Sequence, residues 1–149
     1  MKYIFVLLFC LAGIEIQAQT AEDSIKVVVN KMFEAMKNAD AAALKSCFAD
    51  SAILQTVNNR QGKTTISTDA LNEFADFVSK QKKGDADERI EFGTIKSDGQ
   101  LAIVWAPYKF YFKDKFSHCG TDSFQLIRVN GEWKIQYLID TRKKQGCDQ

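Results

Sequence analysis

Asn130-Gly131 divides two long alternating runs, and this dipeptide readily supplies the two positive-φ residues of a tight type I′ hairpin. The run before it is His118-Cys119-Gly120-Thr121-Asp122-Ser123-Phe124-Gln125-Leu126-Ile127-Arg128-Val129, and the run after it extends from Glu132 through Trp133 to Arg142. Period-two alternation on both sides of a turn describes an antiparallel pair with one face on a core and the other left open. A chain that closes on such a hairpin must cover its apolar face with elements that come earlier.

Those earlier elements read as helices first and strands after. Thr20 can cap a first helix, with Asp23 in a capping-box-like position, and Ile25, Val28, Val29, Met32, Phe33 and Met36 recur at helical spacing. Asn38-Ala39 breaks that helix, and Asp40 caps a short second one with Leu44, Cys47 and Phe48 on its apolar face. A strand over 53–57, a turn cluster over 58–63 and a short strand over 64–66 follow. Ser67 or Thr68 is expected to cap a third helix with the stripe Leu71, Phe74, Phe77 and Val78. The charged connector 80–89 has no periodicity and is expected to be a mobile loop. Strands are expected over 90–96, 101–112 and 117–129, the last pairing with 132–142. Helices followed by mostly antiparallel strands on short turns make an α+β fold, not a βαβ one.

The chain has 149 residues, the size of one domain, and 46% of them are apolar, including eleven Phe, so a core can form without metal or multiple cross-links. Met1-Lys2 followed by the apolar run 3–14 has the pattern of a secretory signal peptide, with cleavage expected after Ala18 or Gln19. Residues 1–19 are thus expected to be the signal and 20–149 the domain, secreted or periplasmic and free of the membrane after cleavage. Phe9 stands where a lipoprotein signal would need a small residue before Cys10.

Twenty basic and nineteen acidic residues give a formal charge of +1, without the concentrated basic face that nucleic-acid binding requires. The clusters Lys80-Gln81-Lys82-Lys83 and Arg142-Lys143-Lys144 fall at a helix end and in the tail, where they read as solvated ends. After export three cysteines remain, Cys47, Cys119 and Cys147, which allows one disulfide and one thiol, or none paired. The hairpin sets Cys119 opposite Arg142, from which a short tail can fold back, so Cys119–Cys147 is the expected pair and Cys47 the buried thiol. One His and no Cys-x-x-Cys leave too few ligands for zinc or haem, and no metal or cofactor is expected.

The polar loop, Gly and Trp of the closing hairpin, with the small polar turn before the second helix and Asp50-Ser51-Ala52 before the first strand, resemble the nuclear transport factor 2-like (NTF2-like) superfamily. The run 118–124, with Asp140-Thr141-Arg142 and Gly146-Cys147, is similar to its exported SnoaL-like and "putative lumazine-binding" members. The resemblance covers nearly all of 20–149. It implies a cone, in which a curved, mostly antiparallel sheet packs on three helices around a pocket.

Pairing through Asn130-Gly131 puts Asp122, Phe124, Leu126, Trp133, Ile135, Tyr137 and Ile139 on one face of the hairpin and Asp140 and Arg142 on the other. A turn at Asp114-Lys115 would add Leu101, Ile103, Trp105, Pro107, Lys109 and Tyr111 to the inner face. A slip of one residue there would exchange the faces. On this register Trp105, Lys109, Tyr111, Asp122, Phe124 and Tyr137 are the expected ligand-binding residues. Asp122 and His118 are the catalytic candidates: a carboxylate among apolar groups with a raised pKa, and an imidazole on the same face. Asp122 could instead be neutralised by Lys109 or bonded to backbone, and His118 could be solvated.

Carboxylates do acid–base work in the ketosteroid isomerases and polyketide cyclases that share the implied fold, but no constellation here matches theirs residue by residue. No phosphate loop, nucleophile elbow or Walker lysine is present. The expected function is binding of a small apolar or aromatic molecule in the cone. The alternative is an isomerase, cyclase or hydratase using Asp122 with His118 or Tyr111. A homodimer through Val104, Tyr108, Phe110 and Phe112, taken as the outer face, is a third expectation.

Overall fold

A computed structural model describes residues 20–147, so the signal-peptide expectation lies outside the described residues. Helix α1 (Ala21–Lys37) starts as its sequence predicts. The Thr20 hydroxyl accepts the Asp23 amide at 3.1 Å and donates to the Asp23 carboxylate at 2.6 Å. Its stripe Ile25, Val29, Met32, Phe33 and Met36 is buried. Asp40 caps α2 (Ala41–Ser46) by accepting the Ala43 amide at 2.9 Å.

Seven strands follow, with α3 (Leu71–Ser79) between the second and third: β1 (Phe48–Arg60), β2 (Lys63–Asp69), β3 (Ala86–Ile90), β4 (Thr94–Asp98), β5 (Leu101–Phe112), β6 (Lys115–Val129) and β7 (Glu132–Thr141). They form one mixed sheet in the order β2-β1-β7-β6-β5-β3, with β4 also on β5. Only the β1–β7 pairing is parallel. The expected α+β architecture stands. Asn130 and Gly131 both take positive φ, 52° and 85°, and the hairpin closes there with Val129 opposite Glu132. Trp133 reaches across to α1 and donates its indole N–H to Ser24 Oγ at 3.2 Å. Phe33 meets Phe124 edge-on at 6.1 Å, and these rings anchor α1 on the sheet.

Four expectations need correction. Ser67 and Thr68 do not cap a helix. They continue β2 opposite Thr56 and Gln55, and α3 starts after Ala70, which makes no side-chain cap bond. The connector 80–89 carries all of β3 but its last residue, with Ala86 fully buried, and a backbone bond from Gly84 N–H to Lys37 O at 2.7 Å ties it to α1. Asp87 there pairs with Lys37 and Arg89, each at 2.9 Å. The expected single strand 90–96 is two strands, β3 and β4, interrupted at 91–93.

The fourth correction moves side chains between faces. The β5–β6 turn is Lys113-Asp114, both at positive φ, one residue earlier than expected, and a register shift follows between Phe110 and Tyr111. The ladder therefore sets Ala106 opposite Asp122 and Val104 opposite Phe124. A second shift falls between Gln125 and Leu126, leaving Gln136 unpaired, so that Asp122 stands opposite Asp140 and Phe124 opposite Leu138. Each extra residue reverses the inside–outside alternation beyond it. Ala102, Val104, Ala106 and Tyr108 thus point toward the helices, and Leu101, Ile103 and Trp105 are 44–52% exposed on the opposite side. Val104 and Tyr108 are buried and Phe110 packs against the core, so none of them supplies an outer patch for dimerisation.

Candidate functional site

Between the sheet and helices α1 and α3 lies a cavity of about 370 Å³, within the range of small-molecule sites. Its apolar wall is Met32, Phe33 and Met36 from α1, Phe74 and Phe77 from α3, and Leu54, Phe110 and Leu138 from the sheet. Its polar lining comes mostly from the strands, Thr56 on β1, Glu88 on β3, Tyr108 on β5, His118 and Asp122 on β6, and Asp140 on β7 with Arg142 just past its end, while Gln55, Asp69 and, from α3, Glu73 add to it.

The ladders explain why these side chains converge. Glu88 pairs with Phe110 and Phe110 with His118, giving one row across three strands. Ala106, Asp122, Asp140 and Thr56 form a second row across four. Between the rows lies Gly120, opposite Tyr108. A Cβ on Gly120 would sit 1.7 Å from the Thr141 carbonyl oxygen and 2.9 Å from the Tyr108 ring, so a side chain is excluded there.

Asp140 is fully provided with donors. Thr56 Oγ1 donates to its Oδ1, and Arg142 Nε donates to Oδ2 at 2.8 Å. The Tyr108 hydroxyl lies 3.1 Å from Oδ2 and 2.9 Å from the Thr141 carbonyl, so one proton is shared between two acceptors. Burial and the surrounding carboxylates hold that phenol well above its usual range.

Asp122 is the opposite case. It is 3% exposed, and its Oδ2 finds no donor. The carboxyl within hydrogen-bonding reach is Glu88, itself an acceptor unless protonated. Burial first, then the Glu88 charge, raises Asp122 well above the ordinary carboxylate range, and burial raises Glu88 to about 7. The pair holds a proton at neutral pH, which supplies the donor that the fold does not.

His118 lies edge-on to Tyr108 at 5.7 Å and tilted on Phe110 at 5.1 Å, and its Nδ1 is 3.0 Å from Ser117 Oγ. Burial, then the Arg142 charge, lowers its pKa, so the ring is neutral at pH 7.

Three expected site residues, Asp122, His118 and Phe124, face the helix side, and the first two line the cavity. Trp105, Lys109 and Tyr111 do not, because the β5 register turns them outward. They line a separate groove of about 520 Å³ on the opposite side, where Arg89 stacks 4.2 Å above Tyr111. Lys109 therefore cannot neutralise Asp122. Tyr137 lies beyond the β7 shift and gives its hydroxyl to Gln55 Oε1 at 2.7 Å. Sequence reasoning missed Glu88, Tyr108, Asp140 and Arg142. The step from Ile135 to Leu138 in β7 was an available signal, masked by the apolar Tyr137 and Ile139 between and after them.

Cys119 and Cys147 form the expected disulfide, beside an antiparallel bridge between Cys119 and Lys143. Cys47 is free and fully buried, and burial pushes its thiol pKa up. Among the described residues no group of three or more His, Cys, Asp or Glu side chains is placed to hold a metal, and no helix is long and apolar enough to cross a membrane.

A cone of three helices on a curved mixed sheet, with a cavity at its polar seam, is the architecture of the NTF2-like proteins. The family described as "Putative lumazine-binding" matches residues 20–137, and the chain belongs to it. Among solved structures it is similar to an NTF2-like protein of unknown function from Shewanella baltica OS155, at 20% identity over 82% of this chain and 93% of that one, TM-score 0.63. Another, from Shewanella oneidensis MR-1, is 15% identical over 82% and 99%, TM-score 0.63. A third, from Methylobacillus flagellatus KT, is 16% identical over 88% and 99%, TM-score 0.64. At these identities the likeness is one of fold. A search of curated proteins finds no match.

Proposed function

We propose that this chain binds a small apolar or aromatic molecule in the cavity between its helices and sheet, with a polar group of that molecule meeting the carboxyl end. The observation that carries the reading is Asp122, a buried carboxyl whose Oδ2 has no donor but the proton shared with Glu88, at one end of a cavity whose apolar wall is mostly Phe and Met. The family's description also points to a small-molecule ligand. A native mass spectrum of the purified protein should show a retained small molecule, and Asp122→Asn should abolish retention while leaving the thermal midpoint nearly intact. A large loss of stability with unchanged occupancy would remove Asp122 from the site.

A second reading, acid–base catalysis of the isomerase, cyclase or hydratase type, is favoured by the proton shared between Glu88 and Asp122, which puts an acid and a base at one point. Tyr108, not Tyr111, would be the phenol of such a site. Incorporation of solvent deuterium into the retained molecule, lost in Glu88→Gln, would support it; no incorporation would leave binding alone.

Export is part of the same proposal, resting on Met1-Lys2 and the apolar run that follows. Amino-terminal sequencing of secreted or periplasmic material should begin near Gln19 or Thr20, and an intact Met1 in the membrane fraction would refute it.

A further inference from the structure

The charges around the cavity are unbalanced. Asp69, Glu73, Glu88, Asp122 and Asp140 all line it, against the single guanidinium of Arg142. That guanidinium gives its Nε to Asp140, and its side chain is half exposed. His118 adds no positive charge at neutral pH, and among the described residues no lysine lines the space. Among the described residues an anionic ligand would enter against five carboxyl groups, with only the half-exposed Arg142 to receive it. A neutral ligand would leave the Glu88–Asp122 pair, two carboxyls within hydrogen-bonding reach holding one proton, without a counter-charge beside it. What the Glu88–Asp122 pair lacks is a donor carrying positive charge, since Arg142 donates to Asp140. The walls beside this end are aromatic: Phe33, Phe74, Phe77 and Phe110, whose faces favour a cation. A metal ion does not answer the need, since among the described residues no carboxyl group set is arranged to hold one.

We propose that the ligand of this cavity is an organic amine in its ammonium form, donating N–H bonds to the Glu88–Asp122 pair and seating an apolar or aromatic body among the phenylalanines. The proposal rests on the reading of the cavity as a small-molecule site and names the chemical class that the site selects. A protonated primary or secondary amine supplies both the charge and the directed donor. A quaternary ammonium supplies only the charge.

The test compares three probes with the same phenylethyl body on the purified protein at neutral pH and low salt: 2-phenylethylamine, 2-phenylethanol and 3-phenylpropanoate. Titration calorimetry should show the amine binding at least about tenfold tighter than the alcohol, with no binding of the carboxylate. In Glu88→Gln and in Asp122→Asn the ratio of amine to alcohol affinity should fall toward one. The comparison on the wild-type protein needs no variant, so it stands even if either substitution impairs folding. Alcohol or carboxylate binding as tight as the amine would overturn the ammonium assignment and leave the small-molecule site in place. Failure of all three to bind would also overturn it. The site itself is then judged separately, by whether the native mass spectrum shows a retained molecule.

Discussion

Asp122 on β6 stands directly opposite Asp140 on β7, yet the fold surrounds one carboxylate with donors and gives the other none for its Oδ2. Thr56, Tyr108 and Arg142 all serve Asp140. Two like charges opposed across a ladder would repel each other, and the protein meets this by giving Asp140 its donors while Asp122 shares a proton with Glu88. The asymmetry is what turns a structural row of polar residues into a site with unfilled bonding capacity.

The shared proton makes stability depend on pH. Both carboxyls have folded-state pKa values above their ordinary ones, so the folded chain keeps a proton that the unfolded chain releases. Their contribution is full below the ordinary carboxylate range and is lost as pH rises toward about 7, the value to which Glu88 is raised. His118, whose pKa is lowered, acts in the opposite sense, losing stability as pH falls below its ordinary value. Glu88→Gln keeps His118 and removes one member of the pair, so it isolates the carboxyl contribution. Thermal midpoints measured from mildly acidic to mildly alkaline pH should decline less steeply in Glu88→Gln than in the wild type. Parallel profiles would show that the pair holds no extra proton.

What could be read from the sequence was local to single strands. Asp122 and Phe124 were placed on the inner face of β6 by alternation alone, and both face the helices. The neighbouring strands were misplaced because Ser117 and Gln136 fall at extra residues that no turn dipeptide announces. Glu88 stayed hidden because Ala86-Asp87-Glu88-Arg89-Ile90 carries a surface-like charge pattern, and only pairing with β5 makes it a strand. The disulfide was legible because it needed only the hairpin and a short tail. Even there the β7 shift moved the residue opposite Cys119 from Arg142 to Lys143.

The corrected register relocates the expected dimer surface. Leu101, Ile103 and Trp105 form the exposed apolar row of β5, and a second copy packing on this side would cover them. Sedimentation at micromolar concentration should give twice the monomer mass for the wild type and the monomer mass for Ile103→Glu, with both folded. Phe110→Glu should behave differently, unfolding or loosening the protein, because Phe110 lines the cavity beside His118. A monomeric wild type would refute the dimer and leave the Phe110 expectation standing.

Gly120 offers a sharp test of the packing at the polar end. Its Cα hydrogen is held against the Thr141 carbonyl, and a methyl there cannot fit without moving β7 or Tyr108. Gly120→Ala should destabilise by about 1–3 kcal/mol or more, the range for overpacking, measured by denaturant titration. The same shift should pull Tyr108 from Asp140 and reduce ligand retention. Stability within a few tenths of a kcal/mol of wild type, roughly the level of a neutral surface change, would mean that the strands do not approach this closely.

The Cys119–Cys147 disulfide ties the tail to β6 across a sequence separation of 28 residues. Between its ends lie Arg142, which reaches back to Asp140, and Lys143, whose backbone exchanges two bonds with Cys119 at 2.8 and 2.9 Å. The cross-link therefore does more than restrict the unfolded chain, because it holds in place the segment that delivers the guanidinium to the polar end. Cys147→Ser should cost roughly 3–4 kcal/mol of stability in the chain-entropy account of a loop this long. It should also weaken retention of the bound molecule, since a freed tail leaves Asp140 with fewer donors. Cys47 is fully buried and should react with thiol reagents only on unfolding, giving one late thiol among the described residues. Peptide mapping without reductant should recover the 119–147 link, and a fragment joining Cys47 to either partner would refute the assignment. Unchanged retention in a folded Cys147→Ser protein would confine the disulfide to stability and separate it from the site.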